Sequence, residues 1–300
     1  MPVVYRPARA QDLARADQLV VASINDLTER HGFGAIAVSR PTWFQLFSLK
    51  DDASGLWVAE DAGDIVGFAW SWACGDLWFL AQLFVSPGRQ GSGIGNELLK
   101  RSFGHAEKSG AANKALITFS FNAVSQGLYI RHGLFPRFPI YNFSVPRARL
   151  MDRLQGPQFR QVRLEETAAH MRSLAWIDAQ ALGVSREKHH RYLLNDGATA
   201  GFGLYAGDDC VGYVYIGTDG HIGPLAVARD DALGGAFATA LNLAAEGGGS
   251  QVSAFLPGTS DATLKLAVEH GMRIALPMVL MSTPDFGDWT RYLPRNPGFM

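Results

Sequence analysis

The period of the apolar positions changes repeatedly along this 300-residue chain, and each change marks an element. Val3 to Tyr5 is a short extended run. Leu13, Ala16, Leu19, Val20 and Ile24 recur three and four apart, which predicts a helix over Gln11 to Glu29. His31 to Ser39 reads as a loop, and Pro41 to Leu49 as a second helix with proline near its start. Leu56 to Glu60 and Ile65 to Trp72 flank the polar turn Asp61 to Asp64 and predict a hairpin. Leu80 to Val85 is an apolar strand stopped by Pro87 and Gly88. Ile94, Leu98 and Leu99 share one face of the next helix, where Glu97 and Arg101 pair four apart. Ala115 to Phe121 reads as a strand, Asn122 to His132 as a short helix closed by Gly133, and Tyr141 to Val145 as a last strand. This order predicts an α/β fold, an α+β mixed sheet flanked by helices.

The pattern then begins again. Arg147 to Gln158, with Gly156 and Pro157, reads as a linker containing a helical turn. Phe159 to Leu164 is a strand, and Glu166 to Ala181 and Arg186 to Leu194 are helices. The hairpin around Ala206 to Gly212 echoes Ala59 to Gly67. Gly223 to Val227 echoes Gln82 to Val85, and Val268 to Met272 echoes Ile130 to Leu134, at offsets of roughly 140 residues. Two tandem domains follow, over 1–147 and 159–300, joined by 148–158. The stretch Asp285 to Met300 is expected to lie over a surface without forming an element.

Gln90-Gly91-Ser92-Gly93-Ile94-Gly95 joins the Leu80 to Val85 strand to its helix. Glycine at three of these positions permits a tight turn, and the helix start adds unpaired N–H groups and a positive dipole end. Such a concavity suits an anion, most naturally a phosphate. A dinucleotide fingerprint would need another glycine where Asn96 stands, and a P-loop from Gly88 would need lysine where Ile94 stands.

Composition narrows the class. The formal net charge is −1, which makes no electrostatic case for nucleic acid or an anionic membrane as partner. Cys74 and Cys210, the two cysteines, have no metal-ligand spacing, and reduced thiols in a cytoplasmic protein are expected. Met1 to Arg9 carries no long apolar run, so no secretory signal is expected, and Ile65 to Gly75 is too short to cross a bilayer. No histidine has a ligand spacing, and His189 and His190, adjacent on a helix, cannot face one way; no metal is expected.

The loop resembles motif A of the GNAT superfamily, the acyl-coenzyme-A-dependent N-acyltransferases. Their pattern is Gln or Arg, two residues, Gly, one residue, Gly or Ala. Gln90, Gly93 and Gly95 fit it, Gly91 and Ile94 match common choices between, and Leu83 to Pro87 resembles the family's fourth strand. A second resemblance lies in the segment after the family's fifth strand, matched by Asn122, Ser125, Tyr129, Gly133 and Leu134. The resemblance implies that acetyl-CoA, or another acyl-CoA, is the co-substrate. Its pyrophosphate would lie on the amides of Gln90, Gly91, Ser92, Gly93, Ile94 and Gly95. Its arm would lie along Phe84 and Val85, with Asn122 and Ser125 beside it. Tyr129 would face the thioester sulfur. That casting suits the chemistry, because a neutral phenol of pKa roughly 10 can hydrogen-bond a thiolate whose conjugate acid has a pKa near 8.5.

The family often carries a glutamate on its fourth strand to take the amine proton. Ala81 and Gln82 stand there, which leaves Asp76, Glu29, His31 or ordered water as candidates. Phe68, Trp70 and Trp72 alternate on one strand, with Trp78, Phe79, Trp43 and Phe44 nearby. They either line a pocket for an apolar amine or pack as core.

The second copy departs from the pattern. Gln90 becomes Ala232, Gly95 becomes Phe237, Tyr129 becomes Ala267 and Asn122 becomes Ser260, while Asp230 and Asp231 stand where phosphates would approach. This half also resembles the C-terminal domain of tandem GNAT proteins, which share its Ile222-Gly223-Pro224-Leu225 strand start. The expected function is N-acyl transfer, most naturally N-acetylation, directly to a small-molecule amine, with a peptide acceptor also open. The second domain is expected neither to catalyse nor to bind coenzyme A. A coenzyme-A-binding sensor or assembly module without catalysis is the alternative. The sequence leaves the oligomeric state open.

Overall fold

A computed structural model describes residues 2–300. The chain forms β1 (Val4–Pro7), α1 (Leu13–Arg30), α2 (Trp43–Asp51), β2 (Leu56–Asp61), β3 (Asp64–Cys74), β4 (Leu77–Val85), α3 (Ile94–Ser109), β5 (Asn113–Phe119), α4 (Ala123–Arg131) and β6 (Phe135–Pro146). It continues with α5 (Arg147–Met151), β7 (Arg160–Arg163), α6 (Ala168–Leu182), α7 (Glu187–Asn195), β8 (Thr199–Ala206), β9 (Asp209–Gly217) and β10 (His221–Val227). It ends with α8 (Ala232–Glu246), β11 (Gln251–Pro257), α9 (Asp261–Glu269), β12 (Arg273–Ser282) and β13 (Tyr292–Leu293). The expected mixed α/β order is present, with boundaries moved by a few residues.

The chain divides into two compact units. The first runs to Leu116 and includes Phe121–Leu134; the second holds Ile117–Ser120 and Phe135–Met300. The sequence reading ended the first domain at 147, whereas β6 is counted with the second unit. Its pairing explains this: β6 lies between β11 and β12 and is laddered to both. Pro136 and Pro139 lack ladder donors and mask its first half as a strand in the sequence.

In the first unit, β1 to β4 are laddered antiparallel in chain order, and β5 joins β4 in parallel. One face of α1 buries Leu13, Ala16, Leu19 and Val20, the set its periodicity marks. On the other side of the sheet, α3 packs Ile94 and Leu98 over Ala59, Val66 and Ala69. The approach is close. A Cβ on Gly67 would come within 2.8 Å of Leu98 Cδ1 and 2.9 Å of Ile94 Cγ2. This contact fixes the first turn of α3 against the sheet.

In the second unit the strand order is β12-β6-β11-β10-β9-β8-β7, with β13 on β10. Its core holds Leu225, Val227, Phe237, Leu241 and Leu256, all fully buried. The final stretch, expected to lie over a surface without forming an element, is instead buried at Trp289, Tyr292, Leu293, Phe299 and Met300, forms β13, and joins this core through Leu293. Its apolar residues are too irregularly spaced, and broken by Pro294 and Pro297, to show a period.

Candidate active site

The ladder between β4 and β5 covers only Leu77–Leu80 against Asn113–Leu116. Ala81 is an extra residue on β4, where the β3–β4 register shifts between Trp70 and Ser71. Such a bulge bends the strand that carries it. Beyond it, β4 remains paired to β3, and Ser86 N–H donates to Val66 O at 3.0 Å. Antiparallel alternation then commits the backbone of Phe84 to Phe68 and turns the N–H and C=O of Leu83 and Val85 to the opposite edge. Among the described residues no strand pairs that edge beyond Leu80. The Val85 carbonyl is already occupied, accepting from Ser23 Oγ and Gln90 Nε2, both at 3.2 Å. An extended ligand would therefore meet the Leu83 backbone and the Val85 N–H. Phe84, named with Val85 for that role, points its backbone the wrong way for it. Ser23 was missed; its signal is a lone hydroxyl on the apolar face of α1.

Gly91 and Gly93 take φ values of +78° and +87°, the left-handed region where a side chain is strained. Gly93 caps α3 without a side-chain bond. Gly95 follows within the first turn, and a Cβ there would meet only Val85 Cγ2 at 3.6 Å and Leu128 Cδ2 at 3.9 Å. Ser92 Oγ donates to Arg89 O at 2.6 Å, and Gln90 reaches back to β4, so both side chains brace the turn. Among the described residues, the N–H groups of Gly91, Ser92, Gly93, Ile94, Gly95 and Asn96 have no protein acceptor. Six neighbouring donors, at an exposed helix N-terminus, make a ready anion cradle.

Asn122 caps α4. Its Oδ1 accepts from Ser125 N–H at 3.2 Å, and its Nδ2 donates to Ser125 Oγ at 2.8 Å. One amide hydrogen and one oxygen lone pair are left for a ligand. Gly133 ends the helix at φ +80°, and His132 Nε2 lies 2.9 Å from Asn96 Oδ1, which ties α4 to the first turn of α3. Tyr129 sits in the last turns of α4 and is 5% exposed. Burial pushes its hydroxyl well above the ordinary tyrosine range, with no hydrogen bond contributing, so it stays protonated at neutral pH.

Of the candidate bases, Asp76 is committed to structure. It accepts from Ala112 N–H at 2.8 Å and lies at the start of β4, the far end from the loop. Glu29 is exposed. His31 packs tilted against Phe121 with centroids 4.8 Å apart, next to Asn122, and its Nδ1 lies 2.8 Å from Leu27 O. Most of the aromatics pack as core: Phe68, Trp72, Trp78 and Phe79 are buried. Ser71, His105 and Asp52 form a line that resembles a nucleophilic relay, with Ser71 Oγ 2.8 Å from His105 Nδ1, but Ser71 is sealed under α3. The face toward α2 differs. There Trp70 Nε1, Gln82 Oε1 and Ser48 Oγ are buried without a hydrogen-bond partner, each at a cost of roughly 1–3 kcal/mol.

Residues 22–134 match the acetyltransferase (GNAT) family model. That match lies within the first half of the chain and spans the loop and helix just described. Acyl-coenzyme A is that family's acyl donor. Solved structures extend the likeness of fold to the whole chain. A candidate acetyltransferase from Pyrococcus horikoshii is 15% identical, covering 97% of this chain and 92% of its own, with TM-score 0.73. A GCN5-related N-acetyltransferase from Sphaerobacter thermophilus is also 15% identical, covering 93% and 95%, with TM-score 0.63. A tandem GNAT protein from the clavulanic acid biosynthesis pathway is 15% identical, covering 94% and 98%, with TM-score 0.61. No curated protein matches the chain. The chain therefore has a tandem GNAT fold.

The second GNAT-like unit repeats the β4 geometry and then fills it. β10 pairs with β11 only at His221 and Ile222, and its register on β9 shifts before Leu225. The freed edge of β10 is taken by β13, with Leu225 opposite Leu293, and Val227 N–H donates to Arg291 O at 2.9 Å. Leu225 and Val227 thus spend on the chain's own tail the groups that Leu83 and Val85 leave open. The loop is gone as well. α8 begins at Ala232, so the counterparts of Gln90 to Gly93 are helical. A Cβ on Gly235 would lie 2.5 Å from Gln158 Oε1, and Asp230 is ion-paired to Arg291. The counterpart of Tyr129, Ala267, is fully buried.

A buried charge network holds that tail, and the sequence reading missed it. Arg186 donates to both carboxylate oxygens of Asp178, at 2.9 and 3.2 Å. It also donates to Tyr213 Oη and Tyr292 Oη at 2.7 Å, and to the Met300 carbonyl. His190 Nε2 lies 3.0 Å from Asp178 Oδ2, and His189 packs edge-on to Phe299. Both histidines are buried in different directions, so their adjacency hid a structural role. Among the described residues no group of His, Cys, Asp or Glu could hold a metal ion, and no helix is long and apolar enough to cross a membrane.

Proposed function

We propose that this protein is an acyl-coenzyme-A-dependent N-acyltransferase, most naturally an N-acetyltransferase, acting on a small-molecule amine. The observation that carries the reading is the set of unbonded amides from Gly91 to Asn96 beside the open edge of β4. The amides would hold the pyrophosphate, and the Leu83 and Val85 backbone would take the arm's amides as Leu225 and Val227 take β13. The acceptor's neutral nitrogen attacks the thioester carbonyl, the C–S bond breaks, and the products are the amide and the free thiol. Tyr129 donates its hydroxyl hydrogen bond to the departing sulfur. Because burial strengthens its hold on the proton, its part is stabilisation of the thiolate more than complete transfer. The amine's proton leaves through solvent.

The Tyr129→Phe chain is expected to lose about a hundredfold in kcat while its Kd for coenzyme A stays within twofold. Since the hydroxyl is shifted upward, no loss of rate from its ionisation is expected up to about pH 10. Unchanged kcat in a thiol-release assay would remove Tyr129 from the reaction. The alternative, a coenzyme-A-binding sensor, is favoured by the absence of a carboxylate at Ala81 and Gln82. It predicts binding by calorimetry without thiol release across an amine panel. Absence of binding would end both readings.

A further inference from the structure

Trp70 and Gln82 are register partners on β3 and β4, so their side chains stand side by side on one face of the sheet. Trp70 is 3% exposed, yet its indole N–H has no acceptor; Gln82 Oε1, also buried, has no donor. They do not satisfy each other. Phe44 of α2 meets Trp70 edge-on with centroids 5.0 Å apart. One helical turn on, Ser48 shares that face of α2, and its hydroxyl is the third buried group without a partner. Gln82 adjoins the Ala81 bulge and directly precedes Leu83, where the open edge of β4 begins. Native proteins rarely leave a donor and an acceptor unmet side by side, and a ligand's polar atoms are a standard reason.

The geometry points to a recognition site for the acceptor in which Trp70 Nε1–H and Gln82 Oε1, with Ser48 Oγ one turn of α2 beyond Phe44, hold an uncharged hydrogen-bonding group of the amine substrate, such as a hydroxyl or a carboxamide. This inference rests on the N-acyltransferase reading and adds the substrate class to it. The orphaned set is one N–H donor, one amide oxygen and one hydroxyl that can do either, which matches a group that both accepts and donates. The neighbouring side chains on this face, Phe44, Phe68 and Phe84, carry no charge to offset a buried ion, so a carboxylate or a second ammonium is disfavoured here. The aromatic rings suit an apolar body between that group and the reacting nitrogen.

The test uses the full chain and matched amines that differ only in bearing a hydroxyl or carboxamide, a methyl group, or a carboxylate. Wild type is expected to favour the hydroxyl or carboxamide member by about tenfold in kcat/KM. Gln82→Met removes the amide oxygen and nitrogen at near-constant size, and Trp70→Phe removes the indole N–H with the smaller ring kept in place. They are expected to abolish that preference by raising acceptor KM, while Kd for coenzyme A and thermal unfolding stay near wild type. Two variants guard against one failing to fold. Preference for the carboxylate member, or a preference that survives both substitutions, overturns the inference. So does the absence of turnover with every hydroxyl or carboxamide member in a chain that binds coenzyme A. Failure to bind coenzyme A at all is a separate calorimetric result, and it overturns the N-acyltransferase reading itself.

Discussion

A Gly95→Asp chain is expected to fold normally and to lose coenzyme A binding by roughly a hundredfold at low salt. The position accepts a side chain, since a Cβ there meets Val85 and Leu128 only at ordinary contact distances. It lies in the first turn of α3, where a carboxylate stabilises a helix by about 0.3–1 kcal/mol, and replacing a helical glycine recovers up to about 1 kcal/mol more. A phosphate at 5 Å would be opposed by about 3 kcal/mol with an effective dielectric of 20. That corresponds to more than a hundredfold in affinity, trimmed by screening as salt rises. The substitution places acid at a helix start as the second unit does with Asp230 and Asp231 ahead of α8. Calorimetry at two ionic strengths beside thermal unfolding checks it. Wild-type affinity would mean that the phosphates do not lie on these amides.

The second large effect falls on stability. Asp178→Asn is expected to destabilise the second unit by about 3–5 kcal/mol, because it leaves the Arg186 guanidinium buried without its counter-charge. The tail should loosen with it, since Arg186 also holds Tyr292 and Met300. The same pair sets an acid limit. Arg186 and His190 hold the Asp178 carboxyl far below the usual carboxylate range against the opposing pull of burial. A carboxylate depressed in the folded state stabilises above its unfolded pKa of about 3.9. That contribution is lost as pH falls below about 4 toward the folded value, by up to about 1.4 kcal/mol per pH unit. Denaturant unfolding at neutral pH gives the mutational cost. Repeated below pH 4, it should show a shallower acid dependence in the Asn variant than in wild type.

What was legible in the sequence was whatever is local. The Gln90 to Gly95 loop declares itself because positive φ at Gly91 and Gly93 requires glycine, and the helix after it because Ile94 and Leu98 must cover Gly67. The tandem repeat shows because each unit needs the same apolar periods. The rest depends on contacts distant along the chain. Phe84 alternates with Val85 in every sequence-level respect, and only the register against β3 separates the committed backbone from the open one. The return of the tail to β10 brings together residues more than sixty positions apart, and no period announces it. Asp178, Arg186 and His190 look like ordinary surface charges on helices, because burial of a balanced network leaves no apolar signature. Gln82 appeared only as a missing base; its unmet oxygen beside Trp70 becomes visible only with side chains in place.

One unit leaves its strand edge and loop amides unbonded, while the other closes both with its own chain. Backbone amide resonances of the full protein, followed as coenzyme A is added, show which of the two receives the ligand. Shifts and slowed hydrogen exchange are expected at Leu83, Val85 and Gly91 to Asn96, with Leu225, Val227 and Ala232 to Phe237 unmoved. Changes confined to the latter set, or none in either, would contradict this.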